Sequence, residues 1–129
     1  MLCKIERGGA WSYGARIISL PKSDKDLNAL LQDMEINKSN DYAYTISNVK
    51  TGNDVLDEWF GKGYAINVDE LNHIAGQISK LDYKELEQLG DIMKSERPDN
   101  TVDFINIIHN RDNYVIHENI VYAKLKTSH

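Results

Sequence analysis

Carboxylates are the residues of this 129-residue chain best placed to do chemistry, because they recur in close pairs: Asp57 with Glu58, Asp69 with Glu70, Glu85 with Glu87. Two carboxyl groups flanking one bond are the working parts of a glycosidase, but that reaction needs a cleft and a fixed separation that chain spacing does not supply. Histidine offers less. His73 stands beside Asn72 with Glu70 three residues earlier, yet there is no His-Glu-x-x-His pattern, and His109 and His117 around Arg111 and Asp112 lack zinc spacing. Cys3, the one cysteine, has an apolar neighbour and no helix N-terminus beside it to activate a thiol. Gly61-Lys62-Gly63 lacks the longer glycine loop of a phosphate cradle and reads as a turn. The expectation is a protein without catalytic residues, metal or cofactor.

With catalysis set aside, the carboxylates become a charged surface. Residues 54–118 carry 14 acidic and 6 basic side chains, whereas residues 1–53 carry 6 and 7, so the net charge of −5 resides in the second half. Such a half repels DNA. It is attracted by a protein groove built to receive phosphates, which must itself be positive. The candidate partner-binding set is Asp54, Asp57, Glu58, Asp69, Glu70, Glu85, Glu87 and Asp91. Asp69, Glu70 and Glu85 fall in expected first helical turns, where the macrodipole favours negative charge. Glu87 and Asp91, four apart on one side of a helix, repel each other; either they are retained for another use or Lys84 or Lys94 neutralises them. The plainer alternative is that all these groups solvate helix faces. Trp59, Phe60 and Tyr64 read first as core, and an exposed ring among them would anchor an interface. Lys62 is the one basic residue among these rings, within an acidic half, so direct nucleic-acid binding is not expected.

The frame for these residues is legible in part. Hydrophobic residues are 41% of the chain and charged residues 27%, a balance that predicts a compact fold rather than disorder. One cysteine excludes an internal disulfide and fits a reducing cytoplasm. No apolar run approaches the roughly 20 residues that span a bilayer, and the start lacks a signal-peptide core. The glycine-rich stretch around Trp11 and Tyr13 shows no clear period, although residues 1–15 leave room for a strand. Residues 16–20 read as a strand stopped by Pro21. Ser23 caps a helix with Asp26 three residues on, its apolar stripe being Leu27, Leu30, Leu31 and Met34. Residues 37–40 make a polar turn. Tyr42, Tyr44 and Ile46 alternate as a strand before Thr51-Gly52-Asn53.

In the second half, residues 54–59 form a short helical turn and 64–66 a brief strand. Asn67 caps a helix with Glu70 at the matching position and Leu71, Ile74, Ala75 and Ile78 as its stripe. Asp82 with Glu85 opens the next, which buries Leu86, Leu89 and Met93. After Pro98-Asp99-Asn100, a third helix runs from Thr101 through Val102, Phe104, Ile105 and Ile108. Tyr114, Ile116, Val121, Ala123 and Leu125 are strand positions.

Two of these stretches resemble the ArdA-type antirestriction proteins of conjugative elements and phages. The first is Ile18-Ser19-Leu20-Pro21-Lys22-Ser23-Asp24-Lys25-Asp26-Leu27 with Leu30, Leu31, Met34 and Ile36, similar to that family's first strand, Leu-Pro corner and acidic-capped helix. The second runs Val68-Asp69-Glu70-Leu71-Asn72-His73-Ile74-Ala75, then Leu81-Asp82, Glu85-Leu86-Glu87, Phe104-Ile105-Asn106 and Asp112-Asn113-Tyr114. It resembles the family's Glu-Leu-Asn helix, acidic second helix and closing turn. The resemblance implies an elongated protein, dimeric in many members, that imitates bent B-form DNA and fills the DNA groove of type I restriction enzymes. This chain is shorter and less acidic than typical members. Duplex DNA carries a negative charge every 1.7 Å or so, so the 14 acids cover a short segment, enough for a small target such as a CRISPR effector's motif-reading pocket.

Together these readings predict an α+β protein: an N-terminal β-α-β lobe (1–53) and an acidic, mainly helical lobe with a C-terminal strand (54–129). The expected partner is a DNA-binding defence enzyme, a restriction or CRISPR effector, with no membrane partner and a homodimer left open. The alternatives are a non-catalytic scaffold or oligomerisation module, and a small hydrolase.

Overall fold

In the computed structural model, which describes residues 1–8, 14–37, 39–40, 43–117 and 120–123, β1 (Leu2–Arg7) runs through the middle of an antiparallel sheet. Its edges are β2 (Ala15–Ser19) and β3 (Tyr44–Lys50). The expected β-α-β unit is therefore split. Helix α1 (Asp24–Asp33) carries the chain from β2 to a strand parallel to it, and the strand for which residues 1–15 left room fills the gap between them. Cys3 and Ile5 point into the core opposite Ile18 and Ile46 respectively. Trp11, Tyr13, Tyr42 and Leu125 lie outside the described residues.

β3 departs from strict alternation for a local reason. Asn48 takes a left-handed φ of +52°, and the register steps from Lys4 opposite Ser47 to Leu2 opposite Lys50. The extra residue forms a bulge, so Ile46 and Val49, three apart, both face inward. The Ser23 hydroxyl accepts from the Asp26 amide at 3.1 Å, and Leu27, Leu31 and Met34 are buried, with Leu30 partly so. α1 ends in a Schellman turn: Glu35 has φ +55°, its amide donates to Gln32 O, and Ile36 donates to Leu31 O at 2.8 Å. This returns Ile36 to the core.

Among the described residues the second half holds four α-helices, a 3-10 turn and a hairpin: α2 (Asp54–Phe60), α3 (Val68–Ile78), α4 (Tyr83–Glu96), α5 (Thr101–His109), the turn Arg111–Asn113, then β4 (Tyr114–His117) paired antiparallel with β5 (Ile120–Ala123). The fold is α+β, as the sequence predicts. Three details differ. Residues 64–66 form no strand, because Gly63 at φ +86° and the Asn67 cap confine the run and Tyr64 stacks on Trp59 at 4.9 Å. Glu70 does not close a capping box: Asn67 accepts from the Asp69 and Glu70 amides, while the Glu70 carboxylate accepts from the Thr101 hydroxyl. The C-terminal strand is a two-stranded hairpin. Asp82 and Glu85 do form the full box on α4.

Four long-range hydrogen bonds join the halves or tie the second one together. The buried Tyr44 hydroxyl accepts from the Val68 amide at 3.0 Å, so a strand residue completes the N-terminus of α3. The Asn72 side chain accepts from the Lys22 amide and donates to the Lys22 carbonyl, both at 2.8 Å. The Leu-Pro corner and the Glu-Leu-Asn helix, distant in sequence, thus meet through Asn72. The Trp59 indole donates to the buried Pro98 carbonyl at 2.8 Å. Buried residues of both halves form one continuous core that includes Leu71, Ile74, Ile78, Leu89 and Phe104, with Leu86 partly buried against it.

Candidate functional site

The acidic set divides according to what each carboxylate touches. Asp57 accepts from both the amide and the hydroxyl of Thr51, at 2.6 and 2.7 Å, and so locks the corner between β3 and α2. Glu70 ties the first turn of α3 to Thr101 at the start of α5. Glu85 closes the α4 capping box and also meets Arg111 at 3.0 Å. These three are committed to bonds within the molecule. Asp69 lies in the first turn of α3, in a depression it shares with Asp24, Asn28, Asn72 and His73.

The other four lie on α2 and α4. Asp54, Glu58 and Glu87 are exposed and Asp91 is half-buried. Asp54, Glu87 and Asp91 line one shallow depression of about 290 Å³ with Asn53, Val55, Tyr83 and Leu86. Asp54 and Glu58 are four apart on α2, as Glu87 and Asp91 are on α4, so each helix presents a like-charged pair on one side. Neither Lys84 nor Lys94 forms an ion pair with Glu87 or Asp91 among the described residues. Asp91 marks the end of this acidic stretch, since it also borders a depression lined by Lys94, Ser95, Arg97, Ile120 and Val121.

The seam between the two helices explains how the charges are brought together. Asn53 caps α2 by accepting from the Leu56 amide at 3.1 Å, and its side chain lies against Gly90 of α4. A Cβ at position 90 would sit 2.8 Å from Asn53 Oδ1, closer than real side chains come. Glycine at this point lets the acidic turn of α2 approach the acidic side of α4. No feature of the sequence read in isolation pairs Asn53 with Gly90, since the partners are 37 residues apart.

Trp59, Phe60 and Phe104 form a buried aromatic cluster with ring centroids 4.9 to 5.4 Å apart, so the aromatic segment is core, with Tyr64 at its margin. Sequence reading missed one further pairing: the exposed Nε2 atoms of His73 on α3 and His109 on α5 lie 2.9 Å apart. Burial pushes the Cys3 thiol up to about 11, the opposite of nucleophile activation. Among the described residues no three His, Cys, Asp or Glu side chains converge as metal ligands, and no helix is long and apolar enough to cross a membrane. Comparison with family models, curated proteins and solved structures returns no match.

Proposed function

We propose that the protein binds and blocks a DNA-recognising defence enzyme, of the restriction or CRISPR type, by presenting the α2 and α4 carboxylates to the enzyme's phosphate-binding surface. The observation that carries this reading is the convergence of Asp54, Glu87 and Asp91 on one depression, with Glu58 one turn along α2. Like-charged pairs four apart cost a helix a few tenths of a kcal/mol, and among the described residues no ion pair offsets that cost. A positive groove would offset it by electrostatic attraction. The resemblance of residues 18–36 and 68–114 to ArdA-type proteins supports the same reading. The interacting set is narrower than charge alone suggests: Asp57, Glu70 and Glu85 act as internal ties.

The test is displacement. The protein should leave labelled duplex DNA unshifted by itself, yet lower the DNA occupancy of a type I restriction enzyme or a Cas9-type nuclease, with an effect that weakens as salt rises. DNA retardation by the protein alone, or an effect indifferent to salt, would overturn the reading.

A specific observation favours a second reading, a self-associating scaffold without mimicry. Val115 and Tyr122 face each other across the terminal hairpin, and both are about half exposed, as is Ile120. Salt-insensitive dimerisation, abolished by Tyr122→Ser, is what that reading predicts.

A further inference from the structure

We infer that His73 and His109 form a cross-helix binding site for one divalent transition-metal ion, of the class that prefers imidazole: Cu²⁺ and Ni²⁺, with Zn²⁺ weaker than Cu²⁺. The two rings come from different helices, are exposed, and face each other with Nε2 atoms 2.9 Å apart and ring centroids 5.1 Å apart. In the metal-free pair one Nε2–H donates a hydrogen bond to the other Nε2. With both protons on Nδ1 instead, two lone pairs meet in the same space, and a cation is what such an arrangement accepts.

The separation is close to what some metal geometries require. Metal–nitrogen bonds of about 2.0–2.1 Å at a right angle put two nitrogens about 2.8–3.0 Å apart, as in tetragonal Cu²⁺ or Ni²⁺ sites; a tetrahedral angle needs about 3.3 Å. The present spacing therefore suits adjacent positions of a tetragonal ion. The rings must turn about their side-chain bonds until both lone pairs converge, which exposed imidazoles can do with the helix backbones fixed. No net proton transfer is required, because the donor ring moves its proton from Nε2 to Nδ1. Two waters leave the ion's shell as the two nitrogens enter it, and the remaining positions stay with water.

The surroundings favour positive charge. His109 is the last residue of α5, where the helix dipole is negative. Asp24 and Asp69 share the depression that His73 borders, and Asp69 is one turn before His73 on α3. The frame is also held independently of the histidines, since the Glu70–Thr101 bond and the cap by Tyr44 fix α3 and α5. A bound ion would clip the two helices and stabilise the folded state, because the unfolded chain does not hold the two rings together.

The test is a titration of the full chain with NiCl₂ and CuCl₂, and with MgCl₂ as an oxygen-preferring control, read by calorimetry and thermal unfolding. The wild type should bind one Ni²⁺ and unfold at higher temperature with it; MgCl₂ should do neither. His73→Gln and His109→Gln should each weaken Ni²⁺ binding by at least about tenfold, the loss typical of even a supporting residue at a metal site, while His117→Gln should not. Electron paramagnetic resonance of the Cu²⁺-loaded wild type, which needs no variant to fold, should show coupling to two imidazole nitrogens. Wild-type affinity retained in either single variant, binding lost in His117→Gln, or a Cu²⁺ spectrum without two-nitrogen coupling would each overturn the inference.

Discussion

The surface around α1 and the surface of α2 and α4 both carry exposed carboxylates, and they treat them differently. Near α1, Asp33 is met by Arg16 at 2.6 Å and Glu35 by Arg7 at 3.3 Å. On α2 and α4, Asp54, Glu87 and Asp91 instead gather around one depression. Exposed ion pairs contribute about 0–1 kcal/mol, so neither arrangement decides whether the chain folds. The difference lies in what each surface can do for another molecule. The C-terminal end of α1, where both acids are paired, has little net field, whereas a gathered surface projects a field that a positive groove can meet.

The largest expected effect concerns what the two regions share. Leu71 is fully buried in the core common to both halves, so Leu71→Ala should cost about 2–5 kcal/mol and lower a single unfolding transition. Two separate transitions, only one of them shifted, would break the comparison by showing two independent cores. Next is the seam that assembles the acidic surface. Gly90→Ala forces the Asn53 cap aside, and a lost cap of about 0.5–2 kcal/mol offsets half or more of the roughly 1 kcal/mol that alanine gives a helix, so the variant should gain little or be destabilised. Gly76→Ala meets only an ordinary 4.0 Å contact with Pro21, so it should stabilise by up to about 1 kcal/mol. Equal shifts in denaturant midpoint for the two variants would show that the seam is misread.

How much of this was legible in the sequence depends on the range of each interaction. The caps at Ser23, Asn67 and Asp82 and the stripe of α3 were readable, because their partners lie within one or two turns of the same helix. The place of β1 was not, since its two inward residues, Cys3 and Ile5, give too short a period to assign a central strand. Residues 64–66 have strand-like types, yet the positive φ at Gly63 and the packing of Tyr64 on Trp59 prevail over propensity. At the site, helix position already set Asp69, Glu70 and Glu85 apart as first-turn residues, but nothing local distinguished Asp57 from Asp54 and Glu58. Thr51, Thr101 and Arg111 separate Asp57, Glu70 and Glu85 from the rest, and those contacts exist only after folding.

Smaller effects sharpen the contrast between the surfaces. Arg16→Gln leaves Asp33 unanswered in the last turn of α1, where the dipole disfavours it, and should cost up to about 1 kcal/mol in low salt and less in high salt. Glu87→Gln relieves repulsion with Asp91 and should leave stability unchanged or raise it by a few tenths of a kcal/mol. The least change is expected from Cys3, whose buried thiol is raised from 9.0 to about 11, with the N-terminal ammonium partly opposing that shift. The folded state holds this proton more tightly than the unfolded chain, so its contribution is complete below about pH 9 and is lost as pH rises through about 11. Unfolding followed from pH 8 to 11 in wild type and Cys3→Ala should show a steeper alkaline decline in the wild type.

The most direct test of the central claim sets the two classes of carboxylate against each other. One variant carries Asp54→Asn, Glu58→Gln, Glu87→Gln and Asp91→Asn; the other carries Asp57→Asn, Glu70→Gln and Glu85→Gln. Each is assayed for displacement of DNA from a type I restriction enzyme and a Cas9-type nuclease, alongside its thermal unfolding. The account predicts that the first keeps its unfolding temperature and loses about ten- to a hundredfold in inhibition, equivalent to about 1–3 kcal/mol. The second should unfold at lower temperature and, while still folded, inhibit within a few-fold of wild type. Full inhibition by the first variant would contradict the account.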